Sequence, residues 1–126
     1  MSQKIVTSTA AREKYAQAMA GEIVLPEVTH IAFGNDGHDT EGEPIDPDPD
    51  WEEVPGELMQ KELESVNRDS YIVEMVGKLE QDELVGEDIS AAGTYDDDGD
   101  LLAIATFSPL PKGEDDEMIF NWDTIF

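Results

Sequence analysis

At 126 residues and 13.9 kDa the chain has the length of one domain, enough to bury a core without staples. It has no cysteine, which excludes disulfides, thiol nucleophiles, iron–sulfur clusters and cysteine-ligated zinc. Thirty-one acids against seven Lys and Arg give a formal net charge of −24, a field that repels nucleic acid and anionic membranes. No apolar run approaches the ~18 residues of a membrane span, and the start MSQKIVTSTAAREKY lacks the apolar stretch of a secretory signal. The expectation is a soluble chain made in the cytoplasm. Such acidity fits either a disordered chain or a folded one adapted to molar salt, where self-repulsion is screened. The periodic apolar positions favour the folded, halophilic reading.

The charge is uneven. Residues 1–30 balance Lys4, Arg12 and Lys14 against Glu13, Glu22 and Glu27, so the rest of the chain carries the whole excess. Ser8 or Thr9 can cap a helix running to about Ala20, with Gly21 at its C-terminal end. Ala11, Tyr15, Ala18 and Met19 give that helix one modest apolar face. Val28 to Phe33 reads as a strand that stops at Gly34-Asn35. An acidic, proline-rich loop then covers residues 35–55, and its stretch Asp36 to Glu53 holds nine acids, three prolines and no Lys or Arg. Pro44, Pro47 and Pro49 block helix and central strand alike, so an extended, solvated loop is expected. Replacing Asp36–Asp50 with a short Gly/Ser link is expected to leave the sheet intact.

Beyond the loop, Gly56 to Val66 reads as a short second helix, with Leu58, Met59, Leu63 and Val66 on one side. From Ser70 the period is two, with Tyr71, Val73, Met75 and Leu79 pointing one way. Ile89 to Tyr95 is a weaker strand. Asp96-Asp97-Asp98-Gly99-Asp100 supplies a hairpin turn, because Asp-Gly tolerates positive φ. Leu101 to Phe107 is apolar on both faces and belongs in the centre of a sheet. Met118, Phe120, Trp122 and Phe126 alternate with polar residues in a closing strand. Helices first and strands after imply an α+β domain over residues 1–126: an N-terminal helix and a short second helix with a mainly antiparallel β-sheet or small β-sandwich.

The chemistry is sparse. Placing Gly99 at the glycine of a helix–loop–helix calcium loop puts Thr94 first and Ala105 last, where oxygen ligands belong, so that motif fails. Asp96, Asp98 and Asp100 remain weak candidates for opportunistic cation binding. His38 among Asp36, Asp39 and Glu41 is read as part of the solvated loop, and His30 as a partly buried, hydrogen-bonded strand residue. No phosphate-binding glycine loop, nucleophile elbow or nucleotide fingerprint occurs, so no catalytic residue and no cofactor is assigned. Trp51 stands out in the acidic loop as either a pin onto the domain or a partner contact.

The C-terminal third reads Ala92-Gly93-Thr94-Tyr95, the Asp98-Gly99 hairpin, Leu101-Leu102-Ala103, Thr106-Phe107-Ser108-Pro109, Lys112 and Phe120-Asn121-Trp122. In that order these motifs resemble the tail-collar and tail-fibre N-terminal domain family of tailed viruses. Upstream, Ile31-Ala32-Phe33-Gly34 is similar to the step after the family's first helix, and Leu58 to Leu63 falls where its second helical segment would lie. Its motifs are specific from about residue 88, and Ala91 replaces the acid that commonly precedes Ala-Gly. The expectation is an attachment domain alone, with no shaft or receptor-binding region after Phe126.

The resemblance implies a structural virion protein of the tail tip or baseplate, made in the host cytoplasm and located in the virion. It would connect the tail to fibre or receptor-binding parts, with no catalysis. Its partners would be other viral tail or baseplate proteins and its own copies, a trimer favoured over a hexamer. The acidity points to a halophilic host. The rival reading is an acidic interaction protein of a halophile, either a nucleic-acid mimic or a cation-binding module. Lys4, Arg12, Lys14, Tyr15, Met19 and Trp51 are the expected interface residues: the neutral N-terminal segment can approach an acidic neighbour where the rest of the chain cannot.

Overall fold

The computed structural model describes residues 3–126, and its architecture overturns the expected α+β arrangement. Among the described residues eight strands form two antiparallel sheets, accompanied by a single helix, so the fold is β-sandwich-like. The strands are β1 (Gln3–Thr7), β2 (Val28–Gly34), β3 (Glu57–Glu62), β4 (Ser65–Asp69), β5 (Ile72–Leu79), β6 (Asp88–Asp96), β7 (Leu101–Pro111) and β8 (Met118–Ile125). The helix, α1, spans Thr9–Met19. A five-stranded sheet runs in the order β1-β7-β6-β2-β3, and a three-stranded sheet in the order β4-β5-β8.

The second helix does not exist. Gly56 to Val66 instead builds β3 and the start of β4, which carry the chain from the edge of one sheet to the edge of the other. The segment Glu-Leu-Met-Gln-Lys-Glu is rich in helix formers, but propensity is a weak prior against a ladder partner, and β2 offers one. Its true period is two. Met59, Lys61 and Leu63 are half-buried between exposed neighbours, and Lys61 disguises that alternation. Its stem lies inward while its Nζ reaches Glu83 and the Lys78 carbonyl, the latter at 2.7 Å.

α1 forms where expected. The Ser8 hydroxyl accepts the Ala11 N–H at 3.0 Å as N-cap and donates to the Leu101 carbonyl at 2.6 Å, fastening the helix to β7. At the other end Gly21 takes φ +78°, and the Glu22 N–H returns to the Gln17 carbonyl at 2.9 Å. Only Ala11 on this helix is fully buried. β1 precedes it without a pattern to announce it: five residues with one half-buried side chain give almost no periodic signal.

The faces of the large sheet differ. One packs on the small sheet through Ile31, Phe33, Ile89 and Phe107, which meet Leu79 of β5. Phe120 of β8 closes this core, with ring centroids 4.8 Å from Phe33 and 6.2 Å from Phe107. β5 crosses over β2 at Gly77, where a Cβ would sit 2.7 Å from the Ile31 Cδ1. The opposite face holds Ala32, Ala91, Tyr95, Leu101 and Ile104, and the acidic loop covers it.

That loop is therefore a layer of the fold. Residues 35–56 contain no helix or strand beyond one bridge, His38 to Pro44. Several of their carbonyls and N–H groups are nonetheless bonded to the helix or the sheet. The Thr106 hydroxyl donates to the Ile45 carbonyl at 2.6 Å, the Thr9 N–H to the Pro49 carbonyl at 2.8 Å, and the Gly37 N–H to the Ser90 hydroxyl at 2.8 Å. Val54 is fully buried, and half-buried Trp51 packs on the same cluster. Val54 and Trp51 flank the stretch Asp36–Asp50, within which Gly37 and Pro44 are buried and Ile45 is half-buried. A Gly/Ser link would remove these contacts, so the exchange is expected to cost stability even where the sheet stays intact. Prolines excluded regular structure here, but not packing.

Candidate functional site

The acid-rich turn between β6 and β7 converges on a cation that the chain itself supplies. Lys14 projects from α1, and its Nζ lies 2.6 Å from Asp96, 3.2 Å from Asp98 and 2.6 Å from Asp100. The Asp96 side chain is 1% exposed, and its other oxygen accepts the N–H groups of Asp98 and Asp100, each at 3.0 Å. Burial opposes the Lys14 charge, but the hydrogen bonds it donates to Asp100, Asp96 and Asp98 outweigh that and hold the ammonium above the ordinary lysine range. The three residues named as weak cation candidates thus surround an ammonium, which fastens the helix to the hairpin. Among the described residues no group of three or more His, Asp or Glu is disposed to hold a metal ion.

The other expected interface residues scatter. Lys4 pairs with Asp46 at 2.6 Å across the loop face, both of them solvent-accessible. Arg12 is exposed. Tyr15 packs edge-to-face on Phe126 at 6.5 Å, and burial followed by the Asp96 charge pushes its phenol up. Met19, 92% exposed, lies one turn further along at the same end of the molecule. Trp51 faces the inner cluster and a recess of about 460 Å³ lined by Glu13, Asp50, Glu52 and Asp100. Lys14 and Trp51 therefore serve the fold, while Arg12 and Met19 face solvent.

His38 and Ser90 meet at 2.8 Å, and Ser90 also accepts the Gly37 N–H. Ser90 is fully buried, and Gly37 approaches so closely that a Cβ there would lie 2.2 Å from the Ser90 carbonyl oxygen. The pair seats the loop and leaves no approach to a nucleophile. His30 bonds the Thr29 hydroxyl at 2.8 Å on half-buried β2. Buried Lys112 donates to the Gln81 and Gly113 carbonyls, each at 3.0 Å, and so joins the β5–β6 and β7–β8 connections. Among the described residues, every buried side-chain nitrogen or oxygen has a partner.

The feature that no sequence signal announced lies at the open side of the sandwich. Five strands face three, so the inner surface of β1 and β7 extends past β8 without a covering strand. A groove of about 630 Å³ results, floored by Ile5, Ala105, Phe107 and Leu110 and walled by Phe120 and Trp122. Among the described residues its lining carries one carboxylate, Asp123, and no cationic side chain. Ile5 is 55% exposed and Ile119 62%.

Among the described residues both banks of the groove are free sheet edges. In an antiparallel ladder the backbone groups of alternate residues point to opposite sides. The Phe126 N–H reaches the Tyr71 carbonyl, so the even-numbered residues of β8 bond β5. Ile119, Asn121 and Asp123 consequently aim their N–H and C=O groups at the groove. On β1 the Ser8 N–H reaches the Leu102 carbonyl, which leaves Gln3 and Ile5 aimed outward in the same way. Compared with protein-family models, curated proteins and solved structures, the chain matches none of them.

Proposed function

We propose that the chain is a structural component of a viral tail tip or baseplate, which connects the tail to fibre or receptor-binding parts by protein–protein assembly. The observation that carries the reading is the ordered motif from Ala92-Gly93-Thr94-Tyr95 through Lys112 to Phe120-Asn121-Trp122, which resembles the tail-collar and tail-fibre N-terminal domains. Consistent with assembly, Met19, Val24, Ile119, Ile125 and Phe126 are exposed on a chain of net charge −24, and the sandwich has an apolar open side. Exposed apolar patches on a highly charged protein mark places where a partner sits. In this reading the chain belongs to the particle of a halophilic host, and its own copies surround the tail axis as a closed ring, a trimer favoured over a hexamer.

The test is co-sedimentation. Particles purified by density gradient from a culture of the halophilic host should contain the chain at a fixed ratio to the tail proteins. Its absence from particles, together with recovery on a polymerase or nuclease, would transfer the assignment to the acidic-mimic reading.

A further inference from the structure

We infer that the groove between β1 and β8 receives an extended segment of a different protein, which adds to the β8 edge as a fourth strand of the small sheet and presents Lys or Arg on its solvent side. The inference rests on the assembly reading for the class of partner, and on geometry for the mode of contact. A strand beside β8 would find the backbone groups of Ile119, Asn121 and Asp123 free to form a ladder. Its inward side chains would descend on Ile5, Ala105 and Leu110, the part of the large sheet that the small one leaves bare. About five to seven residues, ~17–23 Å, match the shared length of the two edges. The charge of the occupant follows from the rim. Asp123 stands in the wall, and the connection leading into β8 is the run Glu114-Asp115-Asp116-Glu117. Of the nearby cations, Lys4 on β1 turns to Asp46 on the opposite face, and Lys78 of β5, across from Ile119, is held by Glu117 at 2.8 Å and by Glu80. Among the described residues Glu114, Asp115 and Asp116 therefore keep their charge without a cationic partner. A second copy of the chain would bring another −24 against this rim, so a cationic, alternating strand from another protein is the fitting occupant.

The test uses the whole chain, at the lowest salt that keeps it folded, and three blocked heptapeptides as probes: alternating Lys-Val, alternating Glu-Val, and a block peptide with the Lys-Val composition but no alternation. Amide chemical shifts are followed by NMR. The alternating Lys-Val peptide should shift residues 119, 121 and 123 together with residues 3 and 5, and give cross-strand contacts to β8. Asn121→Pro removes one outward N–H without touching a bond to β5, a change that edge strands tolerate, and should weaken binding at least about tenfold. If Asn121→Pro does not fold, Ile5→Lys on the groove floor replaces it with the same expected loss. Equal binding of the block peptide, no binding of any peptide, insensitivity to both substitutions, or self-association through the same amides without peptide would each overturn the inference. These outcomes are independent of co-sedimentation: a chain found in particles whose groove ignores the peptides is an assembly protein that docks elsewhere.

Discussion

Replacing Lys14 with methionine keeps the length of the side chain and removes the one cation at the centre of three carboxylates. Asp96 is then left with a 1% exposed carboxylate, still held by the N–H groups of Asp98 and Asp100 but facing two more acids. Removing one partner of a fully buried ion pair costs ~3–5 kcal/mol. Asp98 and Asp100 are half exposed and reach water, which puts Lys14→Met at a lower ~2–3 kcal/mol. For a domain of this length ~1 kcal/mol moves Tm by ~4 °C, so the melt should fall by ~8–12 °C. Asp96→Asn preserves an oxygen for the two N–H groups while removing the stranded charge. In the Lys14→Met background it should therefore recover stability, and the double-mutant cycle should show ~1–2 kcal/mol of coupling. Because the folded-state pKa of Lys14 lies above its ordinary 10.5, its contribution is fully present below that pH and is lost only as pH rises through the folded value. The gap between wild type and variant should thus be flat between pH ~6 and ~9. Thermal melts by circular dichroism at one salt concentration provide the measurement. A variant that melts within ~2 °C of wild type, or single effects that simply add, would refute the view that this ammonium fastens helix to hairpin.

Twenty-four uncompensated negative charges should make folding salt-dependent, so Tm should climb between ~0.05 and ~3 M KCl, and a flat profile would count against halophilic adaptation. Gly37→Ala would drive a Cβ to 2.2 Å from the Ser90 carbonyl oxygen; it should lift the acidic loop, cost ~1–3 kcal/mol and redshift Trp51 fluorescence, whereas unchanged stability would restore the picture of a dispensable loop. Burial opposes ionisation of Glu83, but hydrogen bonds from Lys61 and the Glu80 N–H hold its carboxyl below the usual 4.5. Its stabilising share is therefore present above that pH and fades as pH falls through the lower folded value; carboxyl-detected NMR should show Lys61→Met moving the titration upward.

What the sequence disclosed and what it hid follow from how far each signal reaches along the chain. The cap at Ser8, the turn at Gly21, the hairpin around Gly99 and the strands β2, β5, β6, β7 and β8 are decided by neighbours within a few residues, and period or turn chemistry reveals them. Three things are decided at a distance. The stretch Glu57–Glu62 prefers a helix on its own and becomes a strand because β2 lies beside it with an open edge. Lys14 finds its acids 82 residues away, so nothing around position 14 separates an internal clamp from an interface lysine. The acidic loop looks solvated because acids and prolines dominate its composition, yet its burial is carried by a few residues, Pro44, Val54 and part of Trp51, spread among exposed ones. The groove is hidden for the same reason in a stronger form. No residue in it is unusual, and Ile5 or Ile119 would suit any strand. It exists because five strands in one sheet oppose three in the other, which is a property of pairing order and not of any local pattern. A sheet mismatch leaves backbone edges as well as apolar side chains uncovered, and unpaired edges invite strands. The same count that hid the groove from the sequence thus fixes what kind of segment it can accept.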